Sequence, residues 1–242
     1  LSSSRVPAGP GSQIILNFVS SETLGDAVVV RIEGREVAAG CNSAMFACTA
    51  DYWVMPVDAD GPVEFEIVYA DAGGNGGAPV HQTTDGSSVE IDTTPPSIVT
   101  ISMQTDEGLS VAGIGDTIVL TFTADEPLSS STVELAERMP EVSCDDSMMT
   151  CSAQLTVTAE DPEGVPSVLI DFTDIAGNSA RYTADPSNPA LVLTSIDKTA
   201  PAVISSTISA PTLVVGLGVT IRVDVAFSER VASAEVLISG LA

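Results

Sequence analysis

Along this chain the apolar residues fall in short runs with partial alternation, and clusters of Gly, Pro, Asn, Asp and Ser separate them. Residues 118–122, 155–157, 168–172 and 191–193 are runs of this kind, mostly β-branched or apolar. A period near two predicts half-buried strands, and the intervening clusters are turn chemistry. No helical period is sustained, and residues 132–138 read as a strand following Leu128. Strands recurring about every 8–12 residues over roughly 100 residues predict an all-β, Greek-key β-sandwich.

The pattern then repeats. Gly115-Asp116-Thr117-Ile118-Val119-Leu120-Thr121-Phe122 aligns with Gly11-Ser12-Gln13-Ile14-Ile15-Leu16-Asn17-Phe18 at an offset of 104. Glu126-Pro127-Leu128 follows Glu22-Thr23-Leu24 at the same offset. The cysteine pairs and the loops Asp71-Ala72-Gly73-Gly74-Asn75 and Asp174-Ile175-Ala176-Gly177-Asn178 follow at 103. Asp92-Thr93-Thr94-Pro95-Pro96 meets Asp197-Lys198-Thr199-Ala200-Pro201 at 105. Landmarks kept in one order define a tandem repeat of about 104 residues. Three copies are predicted: residues 1–93, lacking an opening strand; 94–199, complete; and 200–242, an opening fragment in which Phe227-Ser228-Glu229-Arg230-Val231 repeats the Glu126 region.

The D-x-T-x-P junctions, the D-x-x-G-N loops and the F-S-E-x-V stretch at residues 227–231 together resemble bacterial-type immunoglobulin-like repeats of large surface proteins and adhesins. The resemblance covers essentially the whole chain and implies tandem immunoglobulin-like sandwiches. The paired cysteines depart from the cysteine-poor pattern usual in such arrays.

Charge narrows the functions. Asp and Glu number 33 against 8 Lys and Arg, a formal net charge of -25. Phosphate recognition needs clustered basic residues, so nucleic acid and anionic membrane surfaces are excluded as partners. No apolar run reaches the roughly 18 residues that a spanning helix needs. The chain begins at Leu1 with neither initiator Met nor a signal-peptide pattern, which reads as a piece of something longer. Cys41 and Cys48 are seven apart, as are Cys144 and Cys151. With a single histidine available, zinc is disfavoured and two short-range disulfides are expected, placing the chain outside the cell or on its surface.

Catalysis finds little footing. His81, in a Gly/Thr-rich stretch, has no counterpart in the second repeat and no G-x-S-x-G elbow beside it. The acids fall in repeated landmarks, which is the mark of architecture. The chain is therefore read as non-enzymatic, with no organic cofactor. Calcium is the cofactor the pattern offers: Glu22, Asp71 and Asp92, then Glu126, Asp174 and Asp197, recur at the ends of strands and at junctions. Hard oxygen donors converging at one pole of a sandwich suit Ca²⁺. The same Asp and Asn residues also fit simple turn capping, and the sequence leaves both readings open.

Prolines at the junctions remove backbone donors and fix φ, so the linkers are expected to be short and extended. The function expected is a structural one: an extracellular fibre, filament, stalk or surface array. Its partners are copies of itself or neighbouring repeats, head to tail, with strand addition near residues 202–208 as one route. The alternatives are an adhesin or carbohydrate- or protein-binding module, to which Tyr52-Trp53 gives the only hint, and the accessory arm of a secreted enzyme. Trp53 itself is expected in a sandwich core.

Overall fold

In the computed structural model of the chain, residues 1–25, 28–42, 44, 46–184, 194–211, 216–231 and 233–237 are described. They form two compact units, Leu1–Ile196 and Asp197–Ala242. The strand expected at 191–193 lies outside the described residues. No helix is long and apolar enough to cross a membrane among the described residues.

In the first repeat the chain runs through β1 (Ser2–Ser3), β2 (Gln13–Val19), β3 (Val29–Ile32), β4 (Arg35–Val37), β5 (Ala39–Cys41), β6 (Ala47–Trp53), β7 (Gly61–Pro62), β8 (Phe65–Val68) and β9 (Glu90–Ile91). One sheet has the order β1-β2-β6-β5 and the other β4-β3-β8, with β7 and β9 paired separately. The second repeat contributes β10 (Ile98–Thr105), β11 (Val111–Ala112), β12 (Thr117–Ala124), β13 (Leu128–Leu135), β14 (Val142–Cys144), β15 (Thr150–Thr156), β16 (Val168–Asp174), β17 (Ser179–Thr183) and β18 (Ser195–Ile196). Its sheets are β10-β12-β15-β14 and β13-β16-β17. Consecutive strands β12 and β13, β13 and β14, and β15 and β16 lie in different sheets, which is the Greek-key connection of an immunoglobulin-like sandwich.

Alternation builds the core. On β12, Ile118, Leu120, Phe122 and Ala124 point inward and are at most 1% exposed. They meet Val133 and Leu135 of β13, Ala153 and Leu155 of β15, and Ile170 and Phe172 of β16 in one cluster. Ile14, Leu16, Val30, Ile32, Ala50 and Ile67 do the same in the first repeat. The alternation has the opposite parity from expectation at Trp53. Tyr52 is the inward residue, and Trp53, one position on, is 58% exposed. The tryptophan is therefore a surface residue and not part of the core.

One further correspondence emerges that spacing alone did not suggest. The Tyr52 hydroxyl and Arg35 both donate to the buried Asp58, which also accepts from the Met55 N–H at 2.8 Å. At the matching positions Asp161 accepts from the Thr158 N–H at 2.7 Å and from Arg138 at 3.2 Å. Burial alone would raise both carboxyls, but these donors hold them below the usual range. In each repeat a buried aspartate thus pairs with an arginine that stays partly exposed.

Cys41 and Cys48 are directly opposed on β5 and β6, and Cys144 and Cys151 on β14 and β15; both pairs are disulfides. The first repeat differs at one edge. Its β1 pairs only with Ile14 and Ile15, whereas β10 covers β12 from Ile118 to Ala124. The sheets there part into a cleft of about 660 Å³ lined by Leu16, Phe18, Leu24, Phe65, Ile67 and Tyr69. Phe18 is only half-buried, against full burial of its counterpart Phe122.

In the second unit, β19 (Val203–Ser209) and β20 (Arg222–Phe227) form an antiparallel pair. Its register shifts between Val203 and Ser205, as that of β10 shifts between Ile98 and Thr100.

Candidate metal centre at the repeat junction

The linker from the first repeat to the second starts at Asp92, directly after β9. Its carboxylate accepts from the Thr94 N–H at 3.1 Å, an Asx turn that sets the path of the chain. The same turn recurs at Asp197, which accepts from the Thr199 N–H at 3.0 Å. Pro96 is buried after the exposed Pro95, so the linker is anchored at its far end.

Asp174 closes β16 on the inward parity, where hydrocarbon stands at Val168, Ile170 and Phe172, and it is 0% exposed. Its loop satisfies it: the N–H of Asn178 donates to Oδ1 at 2.9 Å and the Asn178 amide to Oδ2 at 2.9 Å. The same amide nitrogen donates to the Asp92 carbonyl at 3.0 Å and so ties the loop to the linker. Glu126 sits in the turn between β12 and β13 and is half-buried.

Asp92, Glu126 and Asp174 come together: one carboxylate oxygen of each lies within 4.8 Å of the others. Burial pushes Glu126 up to about 7, and the charges of Asp92, Asp174, Asp125 and Asp60 add to it. Asp92 is raised too, by burial and by Asp174 and Asp60. Asp60, absent from the sequence-derived set, belongs to the surroundings. It accepts from the Thr93 N–H at 2.6 Å, from the Thr93 hydroxyl at 2.9 Å and from the Thr94 hydroxyl.

The remaining three sequence-derived candidates are not in this cluster. Asp71 is capped by Asn75 just as Asp174 is by Asn178, at 2.8 Å for both bonds. Glu22 is exposed near it, beside the cleft. In the repeat register, the position matching Asp92 for this pair falls before Leu1. Asp197 opens the second unit. The two D-x-x-G-N loops are therefore self-capped turns, and the second one also faces the junction. His81 is exposed in an irregular segment.

The donor set fits a hard cation. Two oxygens on opposite sides of one Ca²⁺ at ordinary bond lengths lie about 4.6–5.2 Å apart, so the observed separations allow one shared ion. All four cysteines are in disulfides and no histidine is in the cluster, so nothing recommends zinc.

No family model and no curated protein matches the chain. Among solved structures, a tandem pair of immunoglobulin domains from titin is 10% identical with a TM-score of 0.26, over 82% of this chain and 97% of that one. BcpA, the major pilin subunit of Bacillus cereus, is 11% identical with a TM-score of 0.24, over 81% of this chain and 70% of that one.

Proposed function

We propose that this chain is a non-catalytic, load-bearing segment of an extracellular stalk, fibre or surface array, and that the junction between its repeats binds Ca²⁺. The observation that carries the reading is the meeting of Asp92, from the linker, with Glu126 and Asp174 of the repeat that follows. A cation shared by these three would join the linker to the body of the second repeat and offset the burial and the repulsion that together raise Glu126. The two disulfides support an oxidising location. The partners on this reading are neighbouring repeats of the same kind, and the open edge at residues 16–19 is where an opening strand would be added.

Calcium titrated into chelator-treated protein should raise the Tm, because a ligand that binds only the folded state stabilises it. Glu126→Gln should abolish most of that rise while leaving both sandwiches folded. An unchanged Tm in wild type between excess calcium and chelator would sink the cation reading.

A second reading, a ligand-binding module, has one observation in its favour. Trp53, Met55 and Val57 are 58, 43 and 77% exposed along one stretch. Trp53→Ala would then lower retention on the ligand surface with the Tm unchanged.

A further inference from the structure

We propose that the two repeats of the Leu1–Ile196 unit are held together by a lock that requires no cation, in which the segment from Arg5 to Gly9 grips the Asp174–Asn178 loop of the second repeat. This lock acts at the same junction as the proposed cation and does not depend on it.

The receiving half belongs to the first repeat. Ala8 pairs in parallel with Ile91: its N–H donates to the Glu90 carbonyl at 2.8 Å, and the Asp92 N–H donates to its carbonyl at 3.2 Å. This fixes Gly9 beside the end of β9. Ala176, at the crown of the loop, lies so close that a Cβ on Gly9 would stand 2.2 Å from its carbonyl oxygen. Only glycine fits there. Arg5 reaches the same carbonyl, its Nη1 donating to Ala176 O at 2.6 Å. Gly177, at φ +98°, leaves the space this guanidinium occupies; a Cβ there would be 1.6 Å from Nη1. The Asn178 amide closes the lock on the Asp92 carbonyl.

The first repeat supplies an internal control. Its own loop, with the same backbone bond from Asp71 N–H to the Asn75 carbonyl at 3.0 Å, has no such neighbour among the described residues, and Gly73 and Asn75 are exposed. Their counterparts Ala176 and Asn178 are 1% and 6% exposed. The burial therefore comes from the neighbouring repeat and not from the loop's own fold. Small residues recur at the matching place in the second repeat, Ala112-Gly113, where Ala112 pairs in parallel with Ile196. The glycine-bearing edge is thus a repeated device, while Arg5 is particular to this junction.

Backbone ¹⁵N relaxation on the full chain in excess chelator tests the lock. The two sandwiches should report one common rotational correlation time. Gly9→Leu should remove it, giving two shorter and different times, and Arg5→Met, at an exposed position, should weaken it in the same direction. Unchanged amide shifts at Phe122 and Leu16 in the variants would establish that both sandwiches remain folded. Independent tumbling of wild type in chelator, or common tumbling retained in Gly9→Leu, would overturn the proposal. Common tumbling that appears only with calcium would refute the lock and leave the cation reading intact. Common tumbling without any calcium binding would do the reverse.

Discussion

At two matching hairpins the backbone turns left-handed twice in succession, at Glu33 and Gly34 (φ 50° and 70°) and at Ala136 and Glu137 (φ 52° and 62°). Two-residue turns of this hand match the twist of the strands they join, and glycine meets the requirement without a steric penalty. The first repeat has glycine at the second position and the second repeat has glutamate. Glu137→Gly should therefore stabilise the second repeat by about 1 kcal/mol, read as a higher urea midpoint at an unchanged slope. Titration acts at the same scale. A carboxyl raised on folding keeps a proton that the unfolded chain has lost, so its contribution to stability falls as pH rises. For Glu126, raised from 4.5 to about 7, that window lies between those values. In chelator the Tm should decline from pH 5 to pH 8, and saturating calcium should remove the decline by favouring the ionised form. A slope of equal size in Glu126→Gln would show that other groups produce it. Asp58 and Asp161 act oppositely: held below 3.8, they contribute stability that is lost as acid protonates them.

Among the elements, the disulfide-closed hairpins are the simplest to weigh. Each crosslink joins directly opposed residues seven apart in sequence. In the chain-entropy picture a loop so short removes roughly 2–3 kcal/mol from the unfolded ensemble. Replacing Cys144 and Cys151 together by serine should lower the second repeat's stability by about that amount, measured by urea unfolding, and leave the first repeat's transition in place. Such elements were legible because their spacing recurs: the cysteines, the long strands β12 and β16 and the D-x-x-G-N loops all declared themselves by repetition. Others were not. The two-residue strands β9, β11 and β18 are too short to carry a period, and their partners lie far away in sequence. The side facing the core was misjudged at Trp53 because adjacent aromatics fit either parity. Half of the acidic set, Asp92, Glu126 and Asp174, meets in space, because a site at a junction needs one residue from before it and two from after. Asp60 and Arg5 gave no signal, since neither stands in a repeated motif.

At the scale of the whole molecule the imbalance of charge has a definite distribution. Most of the few cations are committed to particular acceptors: Arg31 to Glu66, Arg35 to Asp58, Arg138 to Asp161, Arg181 to Asp171, Arg222 to Asp224, and Arg5 to the Ala176 carbonyl. The 33 acids far outnumber the 8 bases, so several carboxylates are held by backbone N–H groups, hydroxyls and amides instead, as at Asp60, Asp71, Asp85, Asp125 and Asp145, and at the junction three crowd together. The crosslinks matter differently once such a chain is pulled from its ends. Seven residue steps between the two cysteines stay bridged at a Cα separation of 4.0 Å when the rest of a repeat has opened. Extended, those steps would span about 24 Å. Single-molecule pulling should accordingly show each unfolding step lengthen by about 2 nm after reduction; equal steps before and after would mean that the hairpins open at another point. The give of a tether made from these repeats is thus set by the redox state around it: shorter per broken repeat where the surroundings oxidise, longer where they reduce.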